Sequence, residues 1–310
     1  MEESAQPVAL ENDDFLENID IDETIIDLTH CRLKNMAELN LERFDQLVEL
    51  GLRQNLLTKI EKLPPQLEWL DVYDNKIRDI GQLPKLTNLK YLDLSYNLIK
   101  EFNPNTFDKM SNLEQIFLIS NDLKEIPIFK FSKKLKNVEL GSNRIREIAN
   151  LEYLIGLKEI WLGKNRIKKL ENIHHLVNLK ILSIQSNRIH KLEGLSALTA
   201  LEELYISHNG VEKIEGLECN TRLRVLDISN NRISVFENLS HLVNLEEIWA
   251  NDNQLSSFAE LEILSGLKNL NTVYLERNPL QTVEPTAYRR KIILTLPQVT
   301  QIDATLTKEL

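Results

Sequence analysis

Leucines at Leu113, Leu135, Leu157, Leu179, Leu201, Leu223 and Leu245 recur at one constant interval, every twenty-second position, six steps in succession. Each step opens with one phrase, as in LEELYISHN (201–209) and LRVLDISNN (223–231). A unit this short cannot bury its own apolar face, so neighbouring units must stack and share one core. The phrase also starts at Leu47, Leu67, Leu89 and Leu270, and a degenerate copy, IIDLTHC, covers residues 25–31. About twelve stacked units follow, in one elongated body instead of two globules.

The form L-x-x-L-x-L-x-x-N at this period is the leucine-rich-repeat signature. It predicts an α/β solenoid with a curved parallel β-sheet on the concave face and short 3-10 or helical segments on the convex face. Counting the first leucine as position 1, positions 1, 4 and 6 point inward with the apolar residues near 11, 14, 17 and 20. Positions 3 to 7 are read as a strand, so alternation turns 3, 5 and 7 outward. Position 9 is Asn in eleven units, from Asn55 to Asn278. An amide both donates and accepts, so this ladder is expected to satisfy backbone groups where the chain leaves the strand. Two units, the one from Leu89 to Leu113 and the one from Leu245 to Leu270, are longer than the rest. Their insertions are expected to bulge on the convex side.

The chain divides into a leader (1–20), the solenoid (21–281) and a C-terminal cap (282–310), in which YRRKIILTL forms a helix ending before Pro297. Residues 1–23 contain nine Asp or Glu and no Lys or Arg, within a net charge of −10 for all 310 residues, so the rest is nearly neutral. Such a leader reads as disordered and solvated. From about Phe15 onward it could instead begin a cover for the first unit, through Leu16, Ile19 and Ile21. Nothing at the N-terminus resembles a signal peptide, and no apolar run is long enough to span a membrane. Cys31 and Cys219 lie eight units apart, too far for a disulfide. They are read as buried thiols of an intracellular chain.

Function is sought in residues that the repeat does not need. Position 5 holds Asp71, Asp93, Phe117, Glu139, Trp161, Tyr205, Asp227, Trp249 and Tyr274. Position 3 holds Trp69, Tyr91 and Glu247, with further glutamates. All three tryptophans fall in these two rows, in a chain only 6% aromatic. Aromatics among carboxylates have the composition of a protein-binding hot spot. The rows contain no Lys or Arg, which disfavours nucleic acid and favours a basic, partly apolar protein partner. Basic residues recur instead beside the ladder, at Arg144, Arg146, Arg166, Lys168, Arg188 and Arg232, and are read as a solvated edge. No phosphate loop, nucleophile elbow or metal-ligand spacing occurs, and His175 and His241 lie three units apart. Neither an enzyme nor a cofactor or metal site is expected.

The stretches VELGSNRIREI (138–148), WLGKNRIKKLEN (161–172), LYISHNGVEKIEGLE (204–218), EEIWANDNQL (246–255) and TVYLERNPLQ (272–281), in that order, resemble the protein phosphatase 1 regulatory subunit 7 family. The resemblance implies a nuclear and cytoplasmic regulator, monomeric when free, whose concave face holds the catalytic subunit of protein phosphatase 1 and controls its maturation. It also implies a ternary complex with a small phosphatase inhibitor protein. The family's contact positions fall on Asp93, Phe117, Glu139, Trp161, Asp227, Glu247, Trp249 and Tyr274. Trp161 replaces a smaller aromatic usual in the family. A second reading stays open at this point: a structural adaptor of a ribonucleoprotein or cytoskeletal particle that grips a protein helix.

Overall fold

The computed structural model describes residues 16–307. Twelve strands of three residues each arise where positions 3 to 5 align between turns. They are β1 (Ile25–Asp27), β2 (Glu49–Gly51), β3 (Trp69–Asp71), β4 (Tyr91–Asp93), β5 (Gln115–Phe117), β6 (Asn137–Glu139), β7 (Glu159–Trp161), β8 (Ile181–Ser183), β9 (Glu203–Tyr205), β10 (Val225–Asp227), β11 (Glu247–Trp249) and β12 (Thr272–Tyr274). All pair in parallel in chain order, and position 5 of each strand faces position 5 of the next, as in Asp227 opposite Trp249. The register holds through both insertions, with Asp93 opposite Phe117 and Trp249 opposite Tyr274.

The strands are shorter than expected, for a conformational reason. Hydrogen bonding does continue past position 5: Leu162 N donates to Ser183 O (2.7 Å) and Lys164 N to Gln185 O (2.8 Å). Position 8, however, is left-handed in eleven units, from Gln54 (φ 54°) to Arg277 (φ 58°), and swings the chain out of the sheet.

The asparagine ladder secures that corner. Asn165 is typical: Nδ2 donates to Leu162 O (3.0 Å), Gly163 O (3.3 Å) and, across the turn, Leu140 O (2.9 Å). Its Oδ1 accepts from Ile145 N at 3.0 Å. One buried amide thus joins two turns and satisfies backbone groups that would otherwise be stranded. In the first unit Cys31 stands in this place, and its thiol donates only to Thr29 O (3.6 Å).

Inside, one continuous apolar cluster runs from Leu16 to Ile302. The convex side consists mainly of single turns, such as Leu154 N to Leu151 O (2.9 Å) and Leu176 N to Ile173 O (3.0 Å). Short 3-10 helices occur at Met36–Leu39, Leu41–Arg43, Leu83–Lys85 and Phe258–Leu264. The first insertion is held by Phe107, fully buried, whose ring lies 5.2 Å from that of Phe102 and 4.8 Å from that of Phe129. The second forms the Phe258–Leu264 helix, on which the C-terminal segment rests: Gln298 Nε2 donates to Leu264 O (2.9 Å) and Lys291 Nζ lies 4.9 Å from the Phe258 ring centre.

That segment contains α1 (Pro279–Val283) and α2 (Tyr288–Thr295), which buries Tyr288 and Ile292. Two further strands were not anticipated. β13 (Gln301–Ile302) pairs in parallel with β12, and β14 (Thr305–Leu306) pairs antiparallel with β13. The sheet is therefore closed by backbone pairing as well as by a helix, which protects its last edge.

Two expectations are corrected. Cys31 is half-buried, and Cys219 is exposed because its position, 19, lies on the solvent side of a convex turn. Of the apolar residues expected to cover the first unit, Leu16 is buried and Ile19 packs against the core, and only Ile21 departs from that expectation by being exposed. The part of the acidic leader before Leu16 lies outside the described residues.

Candidate functional site

Strand alternation and sheet curvature decide what the concave face presents. Position 5 points toward the inside of the curve, so large side chains on different turns converge there. The rings of Trp161 and Tyr205, two turns apart, approach to 6.2 Å between centres at an interplanar angle of 20°. Tyr205 and Trp249 are also 6.2 Å apart, and Trp249 and Tyr274 are 5.7 Å apart, both edge to face. Flat strands would hold side chains two turns apart at about 10 Å. The rings close that gap by leaning over the short residues between them, Ser183 and Asp227, which are buried beneath. The result is a continuous line of four half-buried rings, in arrangements that aromatic quadrupoles favour.

A second group lies toward the N-terminus. Trp69 stacks on Tyr91 (5.0 Å, 15°), and Tyr91 meets Phe117 at 5.2 Å. Glu139 faces Trp161 across the strands β6 and β7 and separates the two aromatic groups.

The carboxylates do not behave alike, which the two rows alone could not reveal. Asp71, Asp93 and Asp227 are buried and turned into their own loops. Asp71 Oδ1 accepts from Tyr73 N (2.9 Å), Asp93 Oδ1 from Ser95 N (2.8 Å) and Asp227 Oδ1 from Ser229 N (3.0 Å). A short side chain at position 5 can reach the backbone two residues on, as in an Asx turn. Glutamates are longer and rise to the surface. Glu247 Oε2 accepts from Trp249 Nε1 (3.0 Å) and Glu203 Oε2 from the Tyr205 hydroxyl (2.7 Å). Glu159, two residues before Trp161, instead accepts from Asn137 Nδ2 (3.0 Å). The Trp161 indole N–H is thus left without a protein acceptor among the described residues. Glu159, Glu203 and Asn137, all in the position 3 row but not among the residues chosen for partner binding, belong to the face by these bonds.

Burial also shapes the electrostatics. It pushes the Tyr91 hydroxyl up to about 12, assisted by the charges of Asp93 and Asp71. The Glu139 carboxyl is raised by burial and by Asp93, and those of Asp71 and Asp93 are raised chiefly by burial. One cation was overlooked because it stands at position 7: Arg53 meets Asp71 at 3.2 Å and lies 4.5 Å from the Tyr73 ring centre. The acidic character is therefore partly offset at the N-terminal end, by Arg53, and Arg224 lies within electrostatic reach of Glu203.

The buried aspartates give a test of sign. A carboxyl raised in the folded chain holds its proton more tightly there than in the unfolded chain. Its charge therefore costs stability above the folded pKa, and that cost is relieved as pH falls toward the ordinary carboxyl range near 4. Asp93→Asn keeps the oxygen that accepts from Ser95 N. It is expected to melt at or above the wild-type temperature at pH 7, with the difference shrinking toward pH 4. A melt showing the variant weaker at pH 7 than at pH 4 would contradict this assignment.

No group of three or more His, Cys, Asp or Glu among the described residues is placed to hold a metal ion. No helix among them is long and apolar enough to cross a membrane.

Comparison with known proteins agrees with this architecture. Leucine-rich-repeat family models match residues 65–123, 155–197 (two copies) and 195–309. An internalin from Listeria monocytogenes superimposes with a TM-score of 0.71 over 96% of this chain and 94% of its own, at 23% identity. A leucine-rich-repeat protein of Leptospira interrogans does so with a TM-score of 0.71 over 88% of this chain and 81% of its own, also at 23% identity. These two likenesses concern the fold alone. Among curated proteins, "Protein phosphatase 1 regulatory subunit SDS22" of Saccharomyces cerevisiae is 48% identical over 84 residues, 26% of this chain and 25% of that one. The protein of the same name in Schizosaccharomyces pombe is 46% identical over 78 residues, 25% of this chain and 24% of its own. "Protein phosphatase 1 regulatory subunit 7" of Homo sapiens is 58% identical over 45 residues, 14% of this chain and 12% of its own. The matched stretches span about a quarter or less of these relatives. The relatives are named as regulatory subunits, and the fold is a leucine-rich-repeat scaffold, consistent with a non-enzyme. The chain is a leucine-rich-repeat protein, and stretches of it are similar to these phosphatase regulatory subunits.

Proposed function

We propose that the chain binds the catalytic subunit of protein phosphatase 1 on its concave face and controls that enzyme's maturation and activity. The observation that carries the reading is the line Trp161–Tyr205–Trp249–Tyr274, with centres about 6 Å apart and glutamates alongside. Four adjoining rings offer apolar area at low conformational cost. Acceptors at the rim of such a patch set which basic partner docks, and in which register. The free indole N–H of Trp161 adds a donor for a partner carbonyl or carboxylate. The names of the relatives point to the same enzyme. In the same proposal the free chain is a monomer, works in nucleus and cytoplasm, and also enters a ternary complex with a small inhibitor protein.

Glu247→Lys tests the charge side of this reading. It removes the acceptor of the Trp249 indole, deletes an anion facing the partner and installs a repulsive cation. Affinity for the catalytic subunit, measured by calorimetry, is expected to fall at least about tenfold, as for a reversed interface charge. Arg166→Ala, on the lateral edge, is expected to bind as wild type does. Loss of binding by Arg166→Ala with retention by Glu247→Lys would move the interface to that edge.

A further inference from the structure

Ion pairs tie some of the charges on the flanks of the solenoid across successive turns. Along the edge before the strands, Lys90 meets Glu68 (2.6 Å), Lys136 meets Glu114 (2.6 Å), Lys180 meets Glu202 (2.8 Å) and Arg224 meets Glu246 (2.8 Å). The opposite edge, just beyond the asparagine ladder, begins the same way. Arg144 meets Asp122 (2.7 Å) and, further along, Arg232 meets Glu212 (3.8 Å).

Between those two pairs lies one more, Lys191 with Glu215 (3.7 Å), but a group of cations on adjacent turns stands outside any such pair. Arg146, Arg166, Lys168, Lys169 and Arg188 are exposed and line one groove of about 540 Å³, with Glu147 and Glu171 as its only acidic residues. None of the five cations has a carboxylate within 4 Å among the described residues. The lining carries a net charge of +3. An equivalent groove further along the edge is lined by Lys213 and Arg232 against Glu212 and Glu237, and is balanced. The excess is therefore local and not a by-product of the repeat. It also stands in a chain whose net charge is −10.

We propose that this groove docks a phosphorylated, acidic, extended segment of a partner protein. Three of its five cations are arginines, whose planar forks match the oxygens of phosphate and carboxylate in pairs. They come from three adjacent turns, about 4.8 Å apart along the sheet direction. Arg166 and Arg188 follow the asparagine ladder directly, and Arg146 and Lys168 stand two residues further on. A segment laid across the turns meets one cation after another. A phosphoserine brings nearly two negative charges to one such step, against one for a carboxylate. Nucleic acid suits the site less well, because no aromatic ring lines the groove to stack on a base. A long polyanion would also meet the repulsion of the whole acidic chain, whereas a short anion feels chiefly the local field. This proposal does not depend on the concave-face reading, and its test does not use the phosphatase.

The test is fluorescence anisotropy of the full chain with a labelled short peptide of alternating phosphoserine and glutamate. Its unphosphorylated serine form, a single-stranded oligonucleotide of equal charge and inorganic phosphate as competitor serve for comparison. Saturable binding of the phosphopeptide is expected, about tenfold tighter than that of the serine form. Arg166→Glu with Arg188→Glu is expected to weaken it at least about tenfold, and Arg232→Glu to leave it unchanged. All three side chains are exposed, so melting temperatures are expected to stay within a few degrees of wild type. Should the double reversal melt early, Arg166→Gln with Arg188→Gln removes the charge more gently and is expected to lose most of the binding. The proposal is overturned by absent binding, by equal loss in Arg232→Glu, or by an oligonucleotide that binds as tightly as the phosphopeptide. Full displacement of the peptide by equimolar inorganic phosphate would also overturn it, since it would show a site for a free ion.

Discussion

Trp249→Ala is expected to weaken capture of the phosphatase catalytic subunit by ~2–4 kcal/mol, the range of a central interface anchor. The ring is the third of four in the aromatic line and touches both neighbours, Tyr205 at 6.2 Å and Tyr274 at 5.7 Å. Its loss divides a continuous apolar strip into separate patches and leaves Glu247 without its indole donor. Folding is expected to respond much less. The core of this turn is built by Ile248 and Ala250, both fully buried, and neither is disturbed. The two lost ring contacts, each contributing about 0.5–1.5 kcal/mol beyond area, set a small fall in stability. Calorimetric titration paired with a thermal melt separates the two effects. Wild-type affinity in Trp249→Ala would mean that the aromatic line only braces the sheet.

Asn165→Leu is expected to do the opposite: a large loss of stability at a site that no partner touches. The substitution removes the bonds to three carbonyls and orphans the buried Ile145 N–H. One stranded buried group costs about 1–3 kcal/mol, and several from the same corner bring the total to roughly 3 kcal/mol or more. Leucine has the same number of side-chain heavy atoms as asparagine and leaves no cavity, so the cost reports lost hydrogen bonds together with any crowding by its bulkier methyls. Because each turn contacts only its neighbours, the damage is expected to broaden the denaturation curve as the solenoid separates into halves. Urea denaturation followed by circular dichroism reads both the midpoint and the breadth. A curve that superimposes on wild type would show that the ladder is dispensable at this position.

The solenoid was legible in the sequence because the constant leucine interval and the asparagine at position 9 are each forced by one physical need. The first need is to bury leucines between turns, and the second is to satisfy the corner after each strand. The rows at positions 3 and 5 were also legible, since alternation in a strand leaves few choices. What alternation cannot supply is side-chain reach. Asp93 and Glu139 occupy the same position on the pleat, yet the shorter chain folds back to Ser95 N while the longer one faces outward. Nor does it supply side-chain lean, which brings the rings of Trp161 and Tyr205 much closer than two flat strand spacings. Arg53 escaped notice because it acts from position 7, beyond the rows that were read. β13 and β14 escaped because two-residue strands carry no periodicity of their own.

Hydroxyl-radical footprinting of the complex addresses the concave-face assignment most directly, because it reads side chains one by one. The chain is oxidised alone and with saturating phosphatase catalytic subunit, and each modified residue is quantified by mass spectrometry. Protection is expected at Trp161, Tyr205, Trp249 and Tyr274 together, with Phe117 following. Tyr153, exposed on a convex turn, is expected to oxidise at an unchanged rate. Unchanged oxidation of all four concave rings in a chain demonstrably bound to the enzyme would contradict the assignment.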